Sequence, residues 1–332
     1  MRNIVYGIIG CGLIGNKRAL NLPKHSILKG CFDINQQKSI EFANRLNIKN
    51  FTKLIDILED KSIDALIIST LHNSLADLSM KALKSGKHVF VEKPGAKNYM
   101  ELEPIIEFVK SSNLKISIGF NHRYHRAILK AKDLILNNEL GELMYIRGRY
   151  GHGGRIGYEK EWRSNYEFSG GGELIDQGPH LIDLSRLFLG DFSKINGVAQ
   201  TFFWDMEVDD NAFLTLQNKK NQIAFLHVSC SEWKNMFSFE IFGKKGKLDI
   251  SGLGGSYGIE KITFYKMLPE MGPPETYSWE FPMADNSWQI ELDLFNQSIL
   301  CNSSNNDSLI DAYEVLKIVN NIYKESNYDY CS

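Results

Sequence analysis

The sequence predicts an α/β protein: an N-terminal doubly wound parallel sheet, then an α+β part with a large, mostly antiparallel sheet. Three observations carry this. Short apolar runs alternate with helical segments over the first third of the chain, the pattern of a parallel sheet wrapped by helices. The stretch "GIIGCGLIGNKRA", residues 7–19, sets Gly10, Gly12 and Gly15 in G-x-G-x-x-G spacing straight after the first run. Strand-like runs dominate from about residue 143. The expected division is 1–122 and 123–332.

"NIVYGIIG" is β-branched and almost wholly apolar, as suits a strand covered on both faces. "NKRALNL" is helix-compatible and ends near Pro23. "ILKGCFD" reads as a second strand and "INQQKSIEFANRLN" as a helix with Ile40, Phe42, Ala43 and Leu46 on its apolar side. "KNFTKLIDILED" is a short connection and a helix, and "DALIIST" a third strand. "NSLADLSMKALKSG" is amphipathic and closes at Gly86, a residue suited to end a helix. "HVFVEKP" stops at Pro94, "ELEPIIEFVKSSN" is helical, and "LKISIGFN" is the next strand.

The glycine turn therefore stands between a strand and a helix, where a dinucleotide's pyrophosphate binds. Gly10 permits the tight turn, Gly12 a close backbone approach, and Gly15 tight helix–strand packing. The helix N-terminus adds unpaired N–H groups and partial positive charge. Asp33 follows about twenty residues on, at the end of the second strand. An acid there grips ribose hydroxyls and repels a 2′-phosphate, favouring NAD over NADP; its plainer role is to cap the next helix. "GKHVFVEKPGA" places Glu92, Lys93 and Pro94 at the carboxyl end of a strand, where open sheets bind ligands.

Beyond residue 143, "LMYIRGRY", "INGVAQTFFW", "DNAFLTLQ", "QIAFLHVSCSEW", "FSFEIFG" and "KLDIS" read as strands. Ala212, Leu214 and Leu216 share one face by alternation. One face of the sheet is expected to cover helices and the other to join subunits. "LPEMGPPETYSWEFP", residues 268–282, reads as a proline-rich loop. "SWQIELDLFNQSIL" and "IDAYEVLKIVNNIYKES" are helical, and "NSSNND" is a connection that caps the last helix near Ser308.

Composition narrows the function. The chain has 332 residues, 43% hydrophobic, with a formal net charge of −2, which argues against a general nucleic-acid or membrane-surface binder. Five scattered cysteines form no C-x-x-C pair, as expected in a reducing compartment. Cys11 reads as a small filler. No apolar run reaches transmembrane length, and glycines interrupt the apolar N-terminal stretch, unlike a signal peptide. A cytoplasmic location is expected. No zinc-type spacing occurs, so no metal is expected.

The glycine turn, "EKP" and "GGGELIDQGPHLIDL" together resemble the glucose–fructose oxidoreductase/inositol dehydrogenase (Gfo/Idh/MocA) family, from the first strand to about residue 190. The resemblance implies a Rossmann domain, a C-terminal α+β domain that often joins subunits into homodimers or homotetramers, and NAD(P)-dependent chemistry on sugars and cyclitols. Lys93 matches the family's "EKP" lysine, and Asp176 and His180 its D-x-x-x-H pair. Asn121 and Arg123, in "GFNHRY", match a segment near nicotinamide and substrate, and Trp162-Arg163 a pair ahead of the glycine triplet. Implied cofactor contacts are Gly10, Gly12, Leu13, Ile14, Gly15 and Asp33 at the turn. Further along they are Ser69, Thr70, Glu92 and Lys93, and then Asn121, Trp162 and Arg163. The chain departs from the family with Thr70-Leu71 in place of Thr-Pro and with Leu75 in place of a histidine.

Pro179 suits a first helical turn, which sets His180 at a helix N-terminus. The dipole there disfavours a charged imidazole, so His180 can accept a proton. Asp176, just ahead, orients it, holds a substrate hydroxyl or caps the helix. Lys93 stabilises a developing oxyanion or is itself the base; both assignments stay open. Between Asn121 and Arg163, nine Lys/Arg face five Asp/Glu. With the glycine-rich "GHGGRIG" at 151–157, this points either to an anionic sugar, such as a nucleotide sugar or a sugar acid, held by Arg123, Arg155 and Arg163, or to a solvated charged face with cofactor-phosphate contacts. The expected activity is NAD-dependent oxidation of a sugar's secondary alcohol. The alternatives are an NAD(P)H-dependent ketosugar reductase and a non-catalytic sensor of NAD and sugar.

Overall fold

The computed structural model describes residues 2–302 and 306–328; Cys331 and part of "NSSNND" lie outside them. The chain forms two compact units, one of the residues up to Asn121 with Trp288–Glu314, the other of His122–Ser287 with the residues from Val315. The segment 288–314 thus counts with the first unit, whereas the sequence reading gave all of 123–332 to the second.

The first unit runs β1 (Ile4–Ile9), α1 (Leu13–Leu20), β2 (Ser26–Phe32), α2 (Gln36–Leu46), β3 (Lys49–Asn50), α3 (Leu54–Glu59), β4 (Ala65–Ile68), α4 (His72–Lys84), β5 (His88–Glu92), α5 (Glu103–Lys110) and β6 (Ile116–Gly119). The strands stand in the order β3-β2-β1-β4-β5-β6, and every pair is parallel. All four β4 side chains are fully buried, as the unbroken apolar run requires. The two-residue β3 was read as part of a connection; it is too short to show periodicity. Gly86 takes φ +78° after α4, and the Lys87 N–H reaches back to the Ala82 carbonyl, a glycine-terminated helix end.

The second unit carries α6 (Arg126–Leu136), β7 (Leu143–Gly151), α7 (Tyr166–Ser169), α8 (Glu173–Asp176), α9 (Gly178–Leu189), β8 (Phe192–Gln200), β9 (Asn211–Asn218), β10 (Ile223–Ser229), β11 (Met236–Gly243), β12 (Gly246–Ser251), β13 (Glu260–Lys266) and β14 (Glu275–Phe281). Its eight strands run β14-β13-β12-β11-β7-β10-β9-β8, all antiparallel except β7 with β10. Ala212, Leu214 and Leu216 are buried while Phe213 between them is exposed. The alternation is as expected, and α9 packs on β7 and β10. The prolines of 268–282 hid β14, which pairs with β13 over seven residues. Thr276, Tyr277, Trp279 and Phe281 are strand-favouring residues, but the flanking prolines masked them.

Two more helices follow, α10 (Ser287–Leu300) and α11 (Asp307–Glu325). In the first unit Leu292 and Phe295 of α10 enter the core beside Ile4, Tyr6, Ile8 and Phe90. Ser308 does not cap α11. Its hydroxyl accepts from the Ile118 N–H, and Asn306 Oδ1 accepts from Ile116, tying β6 to this segment. No helix among the described residues is long and apolar enough to cross a membrane.

Candidate active site

In the first unit, the glycine turn closes as the spacing demands. Gly10 has φ +99°, and a Cβ there would press on the Ser69 carbonyl at 2.6 Å. A Cβ on Gly15 would stand 2.0 Å from the Gly10 carbonyl oxygen, so α1 can sit this close only with glycine. Gly12 differs: a Cβ there meets nothing within 4 Å. That open space beside the first turn of α1, with its unpaired N–H groups, fits a pyrophosphate. Leu13 borders it and is 72% exposed, and Ile14 is half-buried. The Ser69 hydroxyl donates to the Gly10 carbonyl at 2.9 Å, closing the turn from β4. Thr70 Oγ1 accepts from Ser74 at 2.7 Å in the first turn of α4.

Asp33 does double duty. Its Oδ2 accepts from the Cys11 N–H at 2.8 Å and its Oδ1 from Asn35 at 2.8 Å. The cap of α2 is Asn35, which accepts from Lys38. The carboxylate is therefore aimed at the glycine turn and braced from two sides. Lys93 is half-buried, and its bond to Pro94 is cis. Glu92 turns into the protein, where its Oε1 lies 2.5 Å from Arg18 Nε. Asn121, at the end of this unit, is buried.

In the second unit, Asp176 ends α8 and His180 sits in the first turn of α9, with proline at its start. Both are buried, at 5% exposure each. Asp176 Oδ2 accepts from Arg163 Nε at 2.9 Å, and Arg163 lies over the Trp162 ring. Asp176 raises the Arg163 pKa against the pull of burial, so the guanidinium stays charged. The His180 ring stacks on His122 at 3.7 Å between centroids, and Tyr150 stands edge-on to both. Burial pushes the Tyr150 phenol far above its usual range, aided by its hydrogen bond to Tyr257 and by Asp176 and Glu173. It therefore remains a hydrogen donor at neutral pH.

Glu173, one turn before Asp176, accepts from the Tyr158 hydroxyl at 2.9 Å and faces His152 Nε2 at 3.3 Å. Burial lowers the His152 pKa, but the hydrogen bond and charge of Glu173, with Asp176, outweigh it and leave the pKa raised. The glycine triplet has a steric cause: a Cβ on Gly172 would stand 1.8 Å from the Asp209 carbonyl oxygen, and one on Gly171 2.2 Å from the Tyr323 hydroxyl. Asp209 accepts from Gly172 and Leu174 N–H and from the Tyr323 hydroxyl. It thereby caps the helix that carries Asp176.

Two expected substrate arginines have other partners. Arg123 forks onto Asp183 of α9 through Nε, at 2.6 Å, and Nη2, and Arg155, 71% exposed, pairs with Glu161 at 2.7 Å. The loop 151–157 is anchored at Gly154, whose N–H donates to His152 Nδ1 and where a Cβ would stand 2.5 Å from the Trp204 ring. Sequence reasoning missed Arg18, His122, Tyr150, Glu173 and Asp209. Arg18 in "GIIGCGLIGNKRA", His122 in "GFNHRY" and Glu173 in "GGGELIDQGPHLIDL" stood inside quoted motifs, whereas no motif marked Tyr150 or Asp209. Among the described residues, no group of three or more His, Cys, Asp or Glu could hold a metal ion.

Residues 4–120 match the oxidoreductase family with an NAD-binding Rossmann fold, and residues 128–249 the GFO/IDH/MocA C-terminal domain. Glucose-6-phosphate 3-dehydrogenase of Bacillus subtilis is 32% identical over 253 residues, 72% of each chain. The chain belongs to the Gfo/Idh/MocA oxidoreductase family. Another relative, oxidoreductase P35 of Formosa agariphila, is 27% identical over 84% of this chain and 86% of its own. The fold of this Gfo/Idh/MocA protein matches that of levoglucosan dehydrogenase in complex with NADH and L-sorbose, with a TM-score of 0.88 at 22% identity over 99% and 98% of the two chains. The chain is an NAD-binding oxidoreductase, and its glycine cradle, open at Gly12, fits the dinucleotide.

Proposed function

We propose that this protein oxidises a secondary alcohol of a neutral sugar with NAD. Bound NAD supplies the hydride acceptor. In the first unit the turn Gly10–Gly15 holds the pyrophosphate, Asp33 the adenosine ribose, and the Lys93 amine donates a hydrogen bond to the reacting oxygen, stabilising its developing charge. In the second unit His180 accepts the hydroxyl proton. Asp176, fastened by Arg163, takes a neighbouring sugar hydroxyl. The observation that carries this reading is the buried His180 in the first turn of α9, braced by the His122 ring and preceded by the Asp176–Arg163 pair.

The sequence alone pointed to an anionic sugar. Support for that weakens, because Arg123, Arg155 and Arg163 already pair with Asp183, Glu161 and Asp176. The relatives span both classes by name: one is a glucose-6-phosphate dehydrogenase and a structural neighbour holds L-sorbose. Catalysis in the reverse direction, as a ketosugar reductase, uses the same groups. The ordinary free-thiol composition supports a cytoplasmic location, and the half-exposed Phe213, Phe225 and Val198 on the outer sheet face support a homodimer or homotetramer.

The test is reduced-nicotinamide absorbance with NAD over levoglucosan, myo-inositol, glucose, glucose 6-phosphate, glucuronate and UDP-glucose. Turnover confined to neutral compounds, reduced at least about 10²-fold in Lys93→Met and in His180→Ala, is expected. NAD binding without turnover of any sugar or ketosugar would instead make the protein a sensor.

A further inference from the structure

We infer that Arg18 is a positioning residue for the Lys93 amine, acting through Glu92; this rests on the role given to Lys93 above. Arg18 is fully buried. Its Nε lies 2.5 Å from Glu92 Oε1 and its Nη1 2.8 Å from Glu291 Oε2. The guanidinium is sandwiched between the rings of Phe90 and Trp288, 4.4 Å from each centroid. Its third nitrogen leaves room only for glycine on β6, since a Cβ on Gly119 would stand 2.7 Å from Nη2.

One side chain therefore joins four elements of the first unit. It belongs to α1, the helix that opens at the glycine turn, three residues after Gly15. It holds the last residue of β5, immediately before Lys93. It presses on the end of β6 and pairs with α10. A single ion cluster thus sets the distance between the helix that receives the pyrophosphate and the strand that ends at the amine.

Stability does not explain the cluster. Replacing a buried ion pair with apolar residues of similar volume is often neutral or stabilising, and this core is otherwise rich in Phe, Ile and Leu. A planar guanidinium held between two rings, with carboxylates on two of its edges, supplies direction instead. It fixes the Glu92 side chain, and with it the backbone from which Lys93 departs. An error of about 1 Å in a reacting group costs about 10²-fold in rate.

The experiment compares Arg18→Met, Arg18→Lys, Lys93→Met and Arg18→Met/Lys93→Met, using NAD and the panel sugar that the parent turns over fastest. Melting temperature and NAD affinity by fluorescence titration are read beside kcat and KM. The expected result is NAD affinity within about threefold of the parent and kcat lowered about 10²-fold in Arg18→Met. Partial recovery is expected in Arg18→Lys, and a double variant no slower than Lys93→Met, because the two act as one unit. Parental kcat in folded Arg18→Met, or losses that multiply in the double variant, overturns the inference. If Arg18→Met does not fold, Arg18→Lys decides: it keeps the charge without the fork, and parental kcat in it is equally fatal. Parental turnover in Lys93→Met defeats the reading of the site itself, whatever Arg18 does.

Discussion

Two glycines of one motif answer to different masters. Gly15 is demanded by the protein, because a methyl group there collides with the Gly10 backbone carbonyl at 2.0 Å. Gly12 has no such demand from the protein, since no described residue stands within 4 Å of its missing Cβ, and the proposed NAD site would account for it. Gly15→Ala is therefore expected to lose about 1–3 kcal/mol of stability as well as NAD affinity. Gly12→Ala is expected to melt within about a degree of the parent and still bind NAD at least about tenfold more weakly, through steric conflict with the ligand. Denaturant unfolding and NAD titration of both variants check this. Equal loss of stability in the two would contradict the cradle at Gly12.

The α8–α9 element depends on an acid that no motif marked. Asp209 is fully buried, and burial raises its pKa to about 6, against the hydrogen bonds from Leu174, Tyr323 and Gly172 that lower it. The unfolded chain has it near 3.9. Between those values the native state binds more protons than the unfolded one, so stability falls as pH rises from about 4 to 6. A shift of about two units corresponds to about 3 kcal/mol. Relative to Asp209→Asn, the parent is expected to lose roughly that amount between pH 4 and pH 7. Urea unfolding of both proteins at pH 4.5, 5.5 and 7 measures the difference, and parallel curves would show that Asp209 does not titrate in the fold.

At the scale of the whole molecule, the outer face of the eight-stranded sheet leaves Phe225 and Val198 about half exposed, with Phe213 stacked on His227 beside them. This face is the basis of the proposed oligomer. Phe225→Glu is expected to shift the sedimentation mass toward the monomer with little change in secondary structure. A parent that already sediments as a monomer removes the proposed oligomer. Likewise, a higher kcat/KM for UDP-glucose or glucuronate than for every neutral sugar would restore the anionic reading that the arginine pairings weaken.

What could be read from residue order was what repeats locally. The strand–helix alternation, the glycine spacing and the alternation of Ala212, Leu214 and Leu216 each follow from backbone geometry within a few residues, and the first sheet and its glycine turn were legible for that reason. Lys93, Asp176 and His180 could be proposed as site residues because they lie in contiguous motifs. Long-range pairing decided the rest. Arg18 meets Glu92 and Glu291, His122 meets His180, Asp209 meets Gly172 and Arg123 meets Asp183 across 60 residues. No local pattern says which charge a buried group will find. β14 itself holds no proline; Pro273, Pro274 and Pro282 flank it closely, and its pairing with β13 shows only in the fold.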